Sequence, residues 1–431
     1  VPGHSSATDT FYLGIDVGTS GIRSCVIDAA ATLQAEASTP LPVAARNGAA
    51  VEQDPETWWT ALIANLDRLQ AQCSLAGVAA IALDGTSSTL LCCDAVGQPL
   101  GPALMYNDAR ASHEAQRIAA IAPPECAAHG ASASLAKLLW LLQTPAASKI
   151  RHVLHQADWL LGRLCGHFGT SDENNALKLG YDSLNRCWPD WLRGLDIPTA
   201  LLPRVVPAGH PIGTVTAYGR KRWGLSAGTC ILAGTTDSTA SFMATGAGSG
   251  EAVTSLGSTL VLKVLADQPV FAPEYGVYSH RLGDNWLVGG ASNSGGAVLK
   301  AFFTAAEIDR LASSINIDEP TGLNYYPLLA EGERFPDNDP ARSPRLQPRP
   351  ADDGLFYQGI LEGIAAIEAR GYRRLAALGA PWPERIITTG GGAANTAWRT
   401  MRSRLTGLPV VTAIHQQAAY GAALLALKGS T

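Results

Sequence analysis

Tyr12-Leu-Gly-Ile-Asp-Val-Gly-Thr-Ser-Gly-Ile-Arg-Ser-Cys-Val-Ile-Asp28 decides how this chain is read. Two apolar, strand-like runs flank Asp16 and a tight Gly18-Thr-Ser-Gly21 turn, which is the pattern of a β-hairpin with a carboxylate and hydroxyls at its tip. Such a tip can offer backbone N–H groups and the Thr19 and Ser20 hydroxyls to a phosphate, while Asp16 meets a cation or a hydroxyl. A plain hairpin turn uses the same residue types, so the rest of the chain has to choose.

Outward from this hairpin, Val78-Ala-Ala-Ile-Ala-Leu83 reads as a strand ending at Asp84-Gly-Thr-Ser-Ser88, and Leu90-Leu-Cys-Cys-Asp94 as the next. Apolar spacing predicts helices over 55–73, 134–143 and 155–166; Pro55 directly after Asp54 is a helix-start signal. Gly234-Thr-Thr-Asp-Ser238 leads into a helical stretch, and Gly246, Gly248 and Gly250 then form a link that reads as a domain boundary. A second hairpin is expected over Glu251–Lys263, repeating the first in design: apolar strand, Gly/Ser/Thr turn, apolar strand. Residues 330–353 are rich in Pro, Asp and Arg without apolar period and are expected to form a long surface loop. A helix over 355–378 follows, then a strand at Arg385–Thr389 running into Gly390-Gly-Gly-Ala-Ala-Asn395, and a closing small-residue helix over 418–427. Two phosphate-type hairpins, one per half, suggest a duplicated fold with a nucleotide clamped between lobes.

Composition narrows the function classes. A length of 431 residues allows two or three domains with sizeable cores. The net charge of -5 and pI near 6.0 give no basic footprint, which argues against a nucleic-acid partner. No apolar run approaches the roughly 18 residues of a membrane span, so no membrane role is expected. The opening Val1-Pro-Gly-His-Ser-Ser-Ala7 has neither the charged nor the apolar region of a secretory signal. Eight cysteines, scattered without CxxC spacing, fit buried thiols in a reducing cytoplasm, with an organelle left open. His152, His155 and Asp158 could in principle hold a metal from one helix face, but they match no established ligand signature and read as side chains of an ordinary amphipathic helix.

No Gly-x4-Gly-Lys-Ser/Thr string occurs, and no strand–GxGxxG–helix unit is followed by an acidic residue at the expected distance. That disfavours a P-loop NTPase and a dinucleotide enzyme. What remains is a set of Gly/Ser/Thr turns with two aspartates, Asp16 and Asp237, each on a strand-ending loop. Phosphoryl transfer needs those parts: a base for the attacking hydroxyl, a Mg²⁺ anchor and N–H donors along the triphosphate.

At this point the chain resembles the FGGY carbohydrate kinases over nearly its whole length. The resemblance rests on Asp16-Val-Gly-Thr-Ser-Gly21, Gly234-Thr-Thr-Asp-Ser238, Thr254-Ser-Leu-Gly-Ser-Thr259, Gly390-Gly-Gly-Ala-Ala-Asn395 and the closing Ala-Tyr-Gly-Ala-Ala helix, in the family's order and spacing. It implies an α/β, two-lobed actin/hexokinase-like (ribonuclease H-like) fold with ATP and sugar in the interlobe cleft. The N-terminal sugar-binding and catalytic lobe is expected over 1–245 with 417–431 packing back on it, and the nucleotide-binding lobe over 246–416. Ala82-Leu-Asp-Gly-Thr-Ser-Ser-Thr89, Asn174-Asn-Ala-Leu-Lys-Leu-Gly-Tyr181, Gly276-Val-Tyr-Ser-His280 and Gly289-Gly-Ala-Ser-Asn-Ser-Gly-Gly296 look most like the short D-ribulose kinases, often labelled xylulose kinases. The chain is shorter than many members, consistent with a reduced central insertion.

The resemblance implies that Asp237 is the general base for the sugar hydroxyl; as a helix N-cap it could serve both roles. Asp16 is expected to hold Mg²⁺ or sugar hydroxyls, and Ser20, Gly21, Ile22 and Arg23 to join it on the substrate. Arg23 is as readily a solvated strand residue. Thr19, Ser258 and Thr259 are expected at the phosphates, Gly295 and Gly296 at the ribose and adenine, and Gly390, Gly391 and Asn395 on the opposite wall. Trp398, one turn beyond Asn395, either stacks on the base or packs in the core. Asp84, Thr86 and Ser87 are candidate hydroxyl contacts or simple turn formers. In Tyr106-Asn-Asp-Ala-Arg110, Tyr replaces the family's usual Trp, which leaves a direct sugar role for Asp108 and Arg110 open. The reading is an ATP- and Mg²⁺-dependent ketopentose kinase acting on small-molecule sugar and ATP, as a monomer or homodimer. D-Ribulose is the first choice and D-xylulose or another polyol the alternative; a sugar/ATP sensor or a plain ATPase ranks lower.

Overall fold

The computed structural model describes residues 10–313 and 315–430; the opening residues read above for a secretory signal lie outside the described residues. The chain separates into two compact units, one running to Ala244 and taking up the chain again from Gln417, the other Thr245–Gln416.

In the first unit the main sheet runs in the order Pro211–Thr214, Cys230–Leu232, Val78–Gly85, Phe11–Val17, Gly21–Asp28, Leu33–Pro40, and the short strand Thr235–Thr236 also pairs with Val78–Gly85. The hairpin forms as its alternation predicts, with Asp16 opposite Arg23. Phe11–Val17 also pairs in parallel with Val78–Gly85, which places Asp16 opposite Asp84. Both strands are buried along most of their length, as central parallel strands covered by helices must be.

The helix Pro55–Gln70 starts as predicted, with the Asp54 carboxylate accepting the Glu56 N–H at 3.0 Å. It packs on Gly21–Asp28 and Leu33–Pro40. Its Trp58, Leu62, Leu66 and Leu69 are fully buried, each contributing about 1.5–3 kcal/mol by removal from water. The closing helix Ala418–Gly429 lies on Phe11–Val17 and on the helix Asp237–Ala244. Its small residues are a geometric necessity: a Cβ on Gly421 would sit 1.8 Å from the Ala240 carbonyl oxygen, and one on Gly14 would sit 2.0 Å from that of Ala419.

One local expectation is corrected here. His152–His155 is a strand, paired with Leu90–Cys93, and only Asp158 lies in the helix Gln156–Cys165, so no helix face carries all three residues. Asp158 instead accepts the His155 N–H at 2.9 Å, closing the helix start. His155 Nδ1 lies 3.0 Å from Asp158 and Nε2 lies 3.0 Å from Ser134 Oγ. This row has the order of a hydrolase triad, but Ser134 and His155 are completely buried and no substrate can reach them. Among the described residues no three His, Cys, Asp or Glu are disposed to hold a metal, and no helix is long and apolar enough to cross a membrane. All eight cysteines are free thiols.

The second unit repeats the arrangement. Its sheet runs Tyr278–Leu282, Asn285–Ser292, Leu260–Ala266, Glu251–Leu256, Arg385–Thr389, Val410–Thr412. The Glu251–Leu256/Leu260–Ala266 pair is an antiparallel hairpin, and Glu251–Leu256 pairs in parallel with Arg385–Thr389, as the first unit's hairpin pairs with Val78–Gly85. The 25-residue helix Asp353–Ala377 crosses this unit, capped by Asp352. The 330–353 segment is irregular and mostly exposed, as expected, but its first part is drawn into the core. Phe335 is fully buried in the core, and buried Glu333 accepts from Ser292 Oγ at 2.7 Å, the Asn293 N–H at 2.7 Å and Tyr326 Oη at 3.0 Å. Proline content marked the lack of period, but it could not show that one aromatic and one carboxylate anchor the segment inward.

Candidate functional site

In the first unit three carboxylates gather at the carboxyl ends of adjacent parallel strands, the edge where open α/β sheets present ligands. Asp16 and Asp84 are opposite each other in register, and Asp84 is opposite Thr235, two residues before Asp237. Asp84 is fully buried, and among the described residues no N–H or hydroxyl donor reaches either of its oxygens. Burial, and then the neighbouring charges of Asp16 and Asp237, push its carboxyl well above the usual range. Burial raises Asp16 as well, opposed by the Asp84 hydrogen bond and by Arg23. Arg23 forms an ion pair with Asp16, its Nη1 at 3.3 Å. Arg23 is thus an ion-pair partner of Asp16 on a strand, with 40% of its side chain still exposed.

Asp237 opens the helix Asp237–Ala244 and is half-buried, its Oδ1 accepting the Ser238 N–H at 2.6 Å. The positive end of the helix macrodipole favours its ionised form. Thr19 and Ser20 are exposed at the hairpin tip. Gly21 and Ile22, also expected on the substrate, are not at a surface. Ile22 is a fully buried core side chain whose carbonyl accepts from Asn65, and a Cβ on Gly21 would fall 2.7 Å from the Thr39 carbonyl oxygen. The physical reason is that their strand is paired on both sides, with Phe11–Val17 and with Leu33–Pro40, so beyond the tip these residues are enclosed between neighbours.

Asp108 is fully buried and spent on structure. It accepts the Val51 N–H at 2.7 Å and holds Arg110 through three side-chain hydrogen bonds. Arg110 also pairs with Glu52 and stacks over Trp140. The Asp108 carboxylate is thus committed to the protein, while Arg110 is held in place by two acids.

Gln156, Ser88, Asn107 and Asn175, given no role in the sequence reading, join the candidate contact Ser87 in completing the site. Gln156 accepts both the Thr86 N–H (3.0 Å) and the Thr86 hydroxyl (2.9 Å) on Oε1. The backbone donor fixes the amide's orientation, so Nε2 is the buried atom without a protein partner. Ser87 Oγ, Ser88 Oγ, Asn107 Oδ1 and Asn175 Oδ1 are buried without partners as well. Buried polar atoms are normally paired, so this concentration around the ends of two strands marks a place built for a polyhydroxylated ligand. The detectable signal in the sequence was polar residues placed directly after buried strands.

In the second unit a cavity of about 690 Å³ lies over the hairpin tip and the Gly390–Asn395 turn. Ser258, Gly296, Gly391, Asn395 and Trp398 line it together, as their motifs predict. Thr259, Gly295 and Gly390 form the packed backbone behind that wall: a Cβ on Gly295 would be 2.7 Å from the Ser258 carbonyl oxygen, and one on Gly390 2.6 Å from that of Leu256. Gly391 has open space where a Cβ would stand, which leaves a cradle for a ligand. Trp398 is a core residue with its Nε1–H donated to the Leu361 carbonyl at 3.1 Å, so its ring closes the cavity wall and packing wins over free stacking. Asn395 caps the helix Thr396–Thr406, its Oδ1 accepting the Trp398 N–H at 2.9 Å, so it can offer a base only its amide donors. Leu299, Phe303, Ile308 and Tyr357 supply apolar walls that sequence reasoning missed, with Lys300 and Asp309 at the rim. The volume and the apolar lining fit a nucleoside.

Behind both loops that line this cavity runs a buried network. Arg402 makes two 2.6 Å hydrogen bonds to Glu368 and one of 2.9 Å to Thr388 Oγ1. Glu368 also accepts from Thr254, which meets Tyr372 at 2.7 Å. Thr254 and Thr388 stand two residues before Leu256 and Gly390, so the network sets the strands from which both loops emerge.

Comparison with known proteins agrees with this geometry. Residues 11–244 match the N-terminal domain, and residues 252–430 the C-terminal domain, of the FGGY family of carbohydrate kinases. A xylulose kinase of Streptomyces coelicolor is 31% identical over 94% of this chain and 85% of its own length, and one of Escherichia coli is 28% identical over 92% and 85%. A crystal structure described as a xyloylose kinase from Brucella ovis superposes with a TM-score of 0.88 at 26% identity, covering 97% of this chain and 90% of that one. Both halves of the chain, with their hairpins and their aspartates in place, are accounted for by one family: this protein belongs to the FGGY carbohydrate kinases, on the actin/hexokinase-like fold.

Proposed function

We propose that the protein phosphorylates the C5 hydroxyl of a ketopentose, D-ribulose before D-xylulose, using ATP. FGGY carbohydrate kinases use ATP with Mg²⁺. The observation that carries the reading is the group of Asp16, Asp84 and Asp237 at adjacent strand ends, among buried polar atoms that have no protein partner. Asp237 accepts the proton of the attacking sugar hydroxyl. Asp16, held by Arg23, supplies a carboxylate for a hard cation; with the unpartnered Asp84 oxygens beside it this fits Mg²⁺, which needs only one or two carboxylates besides phosphate oxygens and water. When bound, Mg²⁺ would neutralise the charge that develops on the transferred phosphoryl group. Ser87, Ser88, Asn107, Asn175 and Gln156 read the sugar hydroxyls. The first unit thus serves the sugar and the acid–base chemistry, and the second the nucleoside, through the cavity lined by Ser258, Gly296, Gly391 and Asn395.

The choice of D-ribulose rests on the Asp84-Gly-Thr-Ser-Ser88 and Asn174-Asn175 strings, whose side chains belong to this polar cluster. The relatives named xylulose kinases support the alternative. A site that hydrogen-bonds hydroxyls discriminates strongly between epimers, so one substrate should dominate. A coupled ADP-release screen across ketopentoses, pentitols, glycerol and gluconate decides. A higher kcat/KM for D-xylulose overturns the substrate and leaves the kinase; no stimulation by any of these compounds overturns both.

A further inference from the structure

One buried amine is unused by this chemistry. Lys137, in the helix Ser134–Leu141, is completely buried, and its Nζ donates to the carbonyl oxygens of Ser88 (2.8 Å) and Met105 (2.7 Å). Those two carbonyls belong to different loops. Ser88 is in the turn after Val78–Gly85, and Met105 opens the turn that carries Asn107. We infer that Lys137 is a positioning residue for the sugar: by clamping these carbonyls it holds Ser87 and Ser88 on one loop at a set distance from Asn107 on the other.

Four observations support this. Ser88 has φ +72°, a conformation that is strained for a non-glycine residue and persists only if the surroundings hold it. The other side of the same turn is held independently, by Gln156 on Thr86 and by the 2.6 Å contact of Thr86 and Thr89 hydroxyls. The clamping helix is itself anchored at its first residue, Ser134, against His155. Finally, Lys137 has no carboxylate of its own. The nearest acid, Asp108, is occupied by Arg110, and burial pushes the amine down to about 7. A neutral amine still has two N–H donors, the number that the two carbonyls require. Sealing an amine here without a counter-charge is costly, and an apolar residue would take the Lys137 donor from the Ser88 carbonyl and leave the Met105 carbonyl with the Asp108 N–H alone, so the group is kept for the geometry it imposes.

The inference rests on the reading that these loops face the sugar, and the test separates the two. Lys137→Met and Lys137→Gln are compared with the parent in the full chain, with KM for sugar and for ATP measured separately. Hydrogen–deuterium exchange is followed over residues 84–90 and 104–110. In Lys137→Met the sugar KM should rise about 10-fold or more while the ATP KM stays within about two-fold, and both loops should exchange faster together. Lys137→Gln, which keeps neutral donors on a shorter stem, should lie between, and it carries the test if the Met variant does not fold. An unchanged sugar KM, an ATP KM rising in step with it, or only one loop loosening overturns the inference. If the parent itself responds to no sugar, the substrate reading fails instead, and an inference about sugar positioning falls with it; the exchange data then report a structural brace alone.

Discussion

Replacing Arg402 by Met should reveal what holds the loops that line the cavity of the second unit. Arg402 and Glu368 are each about 1% exposed at the side chain, and their two 2.6 Å hydrogen bonds form a bidentate pair. Removing one member of a buried pair leaves a desolvated charge and costs about 3–5 kcal/mol, whereas replacing both by apolar residues of similar volume is often neutral. At roughly 2–4 °C per kcal/mol for a unit of this size, Arg402→Met should lower the melting temperature by about 6–20 °C. The double variant Glu368→Leu/Arg402→Met should recover most of that loss, because no charge is left buried: Thr388 Oγ1 loses its donor, and the Thr254 hydroxyl loses Glu368 but keeps Tyr372 at 2.7 Å. Scanning calorimetry of the parent, both single variants and the double variant closes the cycle. A functional consequence is readable in the same proteins: Thr254 and Thr388 lead into the two loops lining the cavity, so the single variant should weaken ATP binding by titration calorimetry. If Arg402→Met costs less than about 1 kcal/mol, or the double variant is no better than the single ones, the pair is not the buried, charge-balanced brace described here.

Three further outcomes follow from the first unit. Asp237→Ala should fold and still bind ATP, with kcat for the sugar reaction lowered on the order of 10²–10⁴; near-parental turnover of the purified variant removes Asp237 as base. Asp16→Asn should weaken the Mg²⁺ dependence of the reaction, read from a metal titration beside the parent, and an unchanged titration removes Asp16 as the anchor. Lys137 should leave a signature in stability against pH. Its folded value of about 7 lies below the roughly 10.4 of a free lysine, so between these values the unfolded chain binds more protons and stability rises with pH. Buried thiols such as Cys92, raised by burial to about 12, work in the opposite sense at high pH but are common to parent and variant. The difference in urea stability between the parent and Lys137→Met should therefore shift in the parent's favour from pH 7 to pH 10; a flat difference contradicts the lowered value.

How much was legible beforehand differs between elements. The hairpin at 12–28, the strand into Asp84, the helix after Asp54, the second hairpin and the closing small-residue helix all follow from local signals: alternation, Gly-rich turns, a capping Asp before Pro, and runs of Ala and Gly. These depend on neighbours a few residues apart, so the chain alone specifies them, and the family resemblance of its motifs rests on the same local strings. It also located Asp16 and Asp237, since each ends a strand and begins a turn.

Other features needed the tertiary structure, because they depend on which distant segments meet. Ile22 and Gly21 were placed on the substrate by adjacency to the tip, but a strand's neighbours on either side decide what is buried. Asp108 and Arg110 look like site residues in the sequence and are held by Val51 and Glu52, far away in the chain. Asn395 and Trp398 turned out to be a cap and a core ring as well as cavity walls. Lys137 and Gln156 carried no motif, since a lysine in an apolar helix and a glutamine at a helix start gain meaning only from the carbonyls and N–H groups they reach across the fold. Sequence determines where the chain turns and which side chains are offered there; whether a polar group is spent on the protein or left for a ligand is settled by partners dozens of residues away, since a buried hydrogen-bonding atom must find its match wherever the fold supplies one.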